Sequence, residues 1–223
     1  MTSRPQPSKP PTSRVAMRKP AACGIELPSP TDRTGSGVTL AAHAWSAMAY
    51  FEHSIGGVAL DLAHLEPRTV AFFVQKVARE LAIDVKFSNH CFTVGFEEGV
   101  HDPAHRIMDG NRPRAYDPER HELSRRLPAM VDALPGASVY LTPSDRNYVY
   151  LASIAMADGR VYPMYFHLRR APAAHEQQLL LVVESAYPRD DQQQVLVGTT
   201  KISFPVLCAK VYRGEAVRPQ ARR

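Results

Sequence analysis

Hydrophobic and polar positions change their rhythm along the chain. From Val38 onward, Leu40, Ala44, Ala47, Met48 and Phe51 recur at helical spacing, and Gly56-Gly57 ends that run. Glu66-Pro67-Arg68 puts a proline in the first turn of a second helix, whose stripe of Val70, Phe73, Val74, Val77 and Leu81 predicts one buried face. The stretch 84–96, DVKFSNHCFTVGF, reads as a strand, and residues 99–116, rich in Gly, Pro, Asp and His, as a long exposed loop. Asp117-Pro118 then predicts an N-cap and first-turn proline. The helix behind it buries Leu123, Leu127, Met130, Val131 and Leu134, kinks at Pro128 and stops at Pro135-Gly136.

After residue 137 the period becomes two. Segments 138–142, 147–156, 161–169 and 179–187 predict four strands joined by hairpin-sized connections, an antiparallel meander. In 201–213, Phe204, Leu207, Cys208 and Val211 fit a helical stripe better than a strand, with Gly214 as its stop. The expected class is α+β: N-terminal helices followed by a curved antiparallel β-meander.

Composition adds boundaries to this pattern. Residues 1–37 hold seven of the 19 prolines and predict a disordered basic tail; 38–214 predict one α+β domain, and 215–223 a second basic tail. Residues 1–37 carry six Lys/Arg against Glu26 and Asp32, and 209–223 carry five against Glu215, a net of +4 each. The chain's net charge is +5, so residues 38–208 come out at −3 and the basicity lives in the tails. No apolar run reaches the roughly 18 to 20 residues that span a bilayer, and no apolar run follows the basic N-terminus as in a secretory signal. Three scattered cysteines without a CxxC pair support neither a disulfide framework nor a zinc ribbon, so the expectation is a reducing cytoplasm with no membrane partner.

Candidate chemistry concentrates on few positions. In the strand 161–169, Tyr162, Met164, Phe166 and Leu168 form an apolar face, while Tyr165, His167 and Arg169 project from the other. Ser185 and Tyr187 end one face of the next strand, and Thr142 ends the first. Arg125 and Arg126, with Arg169 and Arg170, would form an anion clamp if their helix crossed the sheet edge; local pairing of the helix arginines to Glu119 or Glu122 is the simpler alternative. His101 and His105, with Asp102 between them, have metal-ligand spacing, but Pro103 disfavours the helix that spacing needs and no third ligand is evident. Strand alternation would send His90 and Cys91 to opposite faces, which leaves Cys91 as packing and His90 as a single candidate. No phosphate-binding loop, dinucleotide fingerprint, serine-hydrolase elbow or HExxH is present, and no cofactor or metal is expected.

Together, "FSNHCFTVGF", "YDPERHELSRRLP", "VYPMYFHLRR", "LLLVVESAYPRD" and "KISFPVLCAKVYRGE" resemble a poorly characterised group of proteins carried by plasmids, integrative elements and phages. The helices-then-meander plan is similar to that of RelE and barnase-like ribonucleases, an analogy of fold only. It implies metal-independent RNA cleavage, with His90 or His167 as base or acid and Arg169 as phosphate stabiliser. Tyr165, Thr142, Ser185 and Tyr187 would orient groups or donate protons. The alternative is a non-catalytic accessory protein that binds a cognate protein or nucleic acid through its sheet face, with Tyr148, Tyr150 and Tyr165 as its exposed patch. A third reading is a metal-dependent hydrolase built on the loop at 101–105.

Overall fold

The computed structural model describes residues 50–142, 150–173, 178–190 and 199–217. In chain order these form β1 (Ser54–Ile55), β2 (Val58–Ala59), β3 (Arg68–Val74), β4 (Arg79–Phe87), β5 (Thr93–Gly95), β6 (Arg106–Asp109) and β7 (Arg112–Tyr116). Then come α1 (Pro118–Ser124), α2 (Leu127–Ala133), β8 (Ser138–Leu141), β9 (Tyr150–Ala155), β10 (Val161–Arg170), β11 (Leu179–Ala186), β12 (Thr200–Ser203) and α3 (Phe204–Arg213). The main sheet has seven strands in the order β12-β8-β9-β10-β11-β4-β3; β5-β7-β6 form a smaller sheet and β1-β2 a short ribbon.

This overturns the α+β expectation of helices first: the described chain is mostly β. The helical reading of 38–51 lies almost wholly outside the described residues. The second expected helix is instead the β3–β4 hairpin, registered Val70↔Ile83 and Val74↔Arg79. Val70 and Val74 stand four apart, a spacing that satisfies both a helical stripe and one face of a strand. Phe73 separates the two readings, since a helix would bury it and the strand turns it outward at 55% exposure. The turn at 75–78 holds no Gly, Pro, Asn or Asp; Ala78 itself takes the left-handed conformation, φ 51°. With the leading helices gone, the likeness to the RelE and barnase plan loses its basis.

The sheet is also not a pure meander. β8 to β11 are antiparallel neighbours as expected, but β11 next pairs in parallel with β4, Leu181 opposite Val85. The expected strand 84–96 breaks after Phe87 because Ser88 caps a 3-10 turn at Asn89–Cys91, its hydroxyl accepting from the His90 N–H at 3.1 Å. The expected loop at 99–116 contains the β6–β7 hairpin, with Gly110 at φ 55° as the first residue of its two-residue turn.

One face of the main sheet carries the core. Tyr162, Met164 and Phe166 are fully buried there against Leu127, Met130 and Phe204 of the helices. Phe204 lies 6.2 Å from Phe166 and 5.9 Å from Phe72, which pins α3 under β10 and β3. Each such ring contributes about 1.5–3 kcal/mol by burial. Asp117 caps α1 by accepting from the Arg120 N–H, and the helix breaks at Arg125-Arg126 where Pro128 has no N–H to return.

Ala78→Gly distinguishes hairpin from helix by its sign. In a helix the change costs about 1 kcal/mol. At a left-handed turn position it relieves strain, so urea denaturation is expected to show a gain of about 0.5–1 kcal/mol.

Candidate functional site

The parallel strands β4 and β11 finish at the same end of the sheet, and ionisable groups gather there. Past β4, Ser88 donates its hydroxyl proton to the Glu184 carbonyl at 2.6 Å, anchoring the 3-10 turn to β11. That turn presents His90, whose Nε2 lies 3.0 Å from Oδ2 of Asp109 on β6. The hydrogen bond from His90, with the Arg114 charge behind it, holds the Asp109 carboxyl below the usual carboxylate range. Cys91 is fully buried, its thiol directed at the Val183 carbonyl, and burial pushes its pKa up to about 12. It is packing, although the 3-10 turn rather than strand alternation sets its direction.

Thr93 is the junction of this region and is fully buried. Its hydroxyl donates to the Asn89 carbonyl at 2.7 Å and accepts from Arg114 Nε at 2.6 Å. Its carbonyl accepts from Arg114 Nη2 at 3.0 Å and from Arg120 Nη1 at 2.9 Å. Two guanidinium groups therefore converge on one carbonyl oxygen. Burial, and then the neighbouring Arg120 charge, lower the Arg114 pKa, as two cations held close require.

Arg120 also reaches the aromatic groups past β11. Its guanidinium carbon stands 4.9 Å from the Tyr187 ring centroid, and that of Arg189 stands 5.7 Å from it. Tyr187 stacks on Tyr165 with centroids 5.7 Å apart and an interplanar angle of 24°. Burial and the adjacent Tyr187 push the Tyr165 phenol up to about 12, so it is a proton donor at neutral pH. Ser185 lies directly opposite Tyr165 in the β10–β11 ladder, beside a register shift that leaves Glu184 as the extra residue.

The structure thus brings together Tyr165, Ser185 and Tyr187, with His90 linked to them through Arg120, which also contacts the His90 carbonyl at 3.3 Å. It separates the others. His167 sits two residues along β10, 3.9 Å from Glu184. Arg169 and Arg170 are exposed at the far end of β10, Arg169 about 13 Å from Tyr165 at roughly 3.3 Å per residue. Thr142 lies beyond β8, which β9 separates from β10. Arg125 pairs with Asp61 and Glu122, and Arg126 is exposed beside it at the break between α1 and α2. No four-arginine clamp forms. His101 Nδ1 accepts from the Glu97 N–H and His105 packs edge-on against Tyr116, so the loop histidines face different partners. Among the described residues no group of three His, Cys, Asp or Glu could hold a metal ion. Tyr148, another candidate for a binding patch, and the Tyr150 side chain lie outside what the structure describes.

Residue-by-residue reading of the sequence missed Asp109, Arg114, Arg120 and Arg189. Only Asp109 had a usable signal, the Asp-Gly pair of a hairpin turn; the arginines were hidden in an apparent loop and on a helix face.

Fold and site together define a mostly β protein whose single mixed seven-stranded sheet ends in a basic, aromatic cluster. The chain belongs to the YjaZ family, whose model matches residues 51–212, a span that contains the whole cluster. No curated protein and no solved structure matches it. Among the described residues no helix is long and apolar enough to cross a membrane.

Thr93→Val keeps the shape of the side chain and removes the hydroxyl. Leaving Arg114 Nε and the Asn89 carbonyl without it is expected to cost about 1–3 kcal/mol in urea denaturation. Thr93→Ser, which keeps both hydrogen bonds, is expected to lose less.

Proposed function

We propose that the protein binds single-stranded nucleic acid, RNA in the first instance, at this end of the sheet and does not cut it. The observation that carries the reading is the stacked Tyr165–Tyr187 pair flanked by the guanidinium groups of Arg120 and Arg189. Aromatic faces accept any base, worth about 1–3 kcal/mol per stacked base, and arginines supply contacts to the phosphates. Arg114 and Arg120 converge on the Thr93 carbonyl and Arg189 stands beside the Tyr187 ring, three guanidinium groups that would attract a phosphate. In the setting that the sequence resemblance suggests, such a protein is an accessory factor of a plasmid, integrative element or phage.

One observation favours the ribonuclease reading, the hydrogen bond from His90 to Asp109, which would orient an imidazole as a general base. Against it, Arg169 lies exposed at the far end of β10, about 13 Å from Tyr165, and Tyr165 holds its proton too tightly to act as a base at neutral pH.

Anisotropy of a labelled 12-nucleotide RNA reads the binding. Tyr187→Ala is expected to weaken it about tenfold, as the loss of one stacked base implies. Arg189→Ala is expected to flatten the dependence of log affinity on log salt by about 0.7. Gels of the same RNA are expected to show it intact. No binding at low salt would sink the proposal, and cleavage lost in His90→Ala would replace it with the ribonuclease reading.

A further inference from the structure

Residues 50–66 form a strap against Phe92 and α1; Leu62 and Leu65 anchor it in the core, and imidazole rings hold it at two further places. At its start, Phe51 meets Phe92 edge-on at 5.3 Å, and His53 packs on both rings, 6.0 Å from Phe51 and 5.9 Å from Phe92. Phe92 is fully buried and directly follows the turn that carries His90. At the other end, His121 of α1 lies with Nε2 2.9 Å from the Asp61 carbonyl, and His64 lies with Nε2 2.7 Å from Ser124 Oγ.

The partners fix the protons. A carbonyl only accepts, so His121 Nε2 carries hydrogen, while Nδ1 lies 3.0 Å from the Tyr116 hydroxyl. Ser124 gives its own proton to the His121 carbonyl at 2.7 Å, so it accepts from His64 Nε2–H. His64 Nδ1 is then a bare lone pair, buried and without a partner. A proton there finds no acceptor. It also meets Arg125 and His121, 5.7 Å away ring to ring, while Asp61 is already engaged by Arg125 and Glu122 is the remaining carboxylate.

The geometry points to a proton-sensitive strap: residues 50–66 stay docked while His53 and His64 are neutral, and open from α1, Phe92 and the core more readily when these two are protonated. Asp61 and Glu122 favour a proton on His64, against the larger effects of burial, Arg125 and His121. His105 and Asp117 flank Tyr116, and Glu66 holds the Tyr50 N–H at 2.9 Å with Asp84 nearby. Burial lowers the pKa of His53; burial, then the charges of Arg125 and His121, lower that of His64. A depressed histidine pKa means that the released strap binds more protons. Docking is therefore at full strength above the unfolded histidine value of about 6.5 and weakens as pH falls below it. Lifting the strap uncovers Phe92 beside the basic cluster, so acid would enlarge the aromatic platform; this consequence rests on the binding reading above.

Hydrogen exchange of the full chain at about pH 7.5 and about pH 5.5, corrected for the intrinsic rates, tests the strap. Peptides from 50–66 are expected to lose protection about tenfold on acidification, while β4 and β10 keep theirs. His64→Gln retains a donor toward Ser124 without a titrating proton and is expected to remove most of that change. His53→Phe, which fills the same aromatic contact, serves if His64→Gln does not fold. Equal strap protection at both pH values, simultaneous loss in the sheet, or a wild-type acid response in the variants would overturn the inference. Labelled RNA is measured in parallel: affinity that rises on acidification in wild type but less in His64→Gln supports the regulation. Absence of RNA binding at both pH values defeats the binding reading and its regulation, while exchange still decides whether the strap moves.

Discussion

The convergence of Arg114 and Arg120 on the carbonyl of Thr93 is the constraint on which the end of this sheet depends. Two cations held on one buried acceptor repel each other, and the arrangement persists because every element around it contributes. β7 brings Arg114, α1 brings Arg120, β5 brings Thr93, and the 3-10 turn brings the Asn89 carbonyl that orients the Thr93 hydroxyl. A capped α1 is needed to aim Arg120, and Asp117 supplies the cap while its own N–H bonds the Phe92 carbonyl at 3.1 Å. The small sheet, the turn and the first helix are thus one unit. The meeting of Arg114 and Arg120 at one point follows from its architecture, although the central part of the chain is acidic overall.

That local charge explains why composition was a poor guide. A net of −3 over residues 38–208 put the basicity in the tails, yet folding gathers three arginines and two tyrosines at one sheet end. Charge totals carry no information about such segregation.

Elements were legible where one periodicity stood alone. The alternation of Tyr162, Met164, Phe166 and Leu168 against Tyr165, His167 and Arg169 placed β10 and both its faces, and the Phe204 stripe with Gly214 placed α3. The pattern failed at Val70 and Val74, where a spacing of four serves helix and strand alike, and where Ala78 turns the chain with no residue that announces a turn. It failed again at Ser88, because a serine inside an apolar run looks like polar punctuation in a strand until its cap becomes visible. The tyrosine half of the site was readable from strand ends. The arginine half was not, since Arg114 and Arg120 reach the site only through tertiary contacts between the hairpin, the turn and α1.

Binding of a single strand at this site requires that bases stack at the end of β10 and β11. Ultraviolet cross-linking of a uridine-containing single strand to the full chain, with the modified peptides located by mass spectrometry, reads that contact directly. The prediction is cross-links in the peptides carrying Tyr165 and Tyr187, competed away by unlabelled strand. Cross-links confined to the basic tails, or spread without preference along the chain, would contradict it.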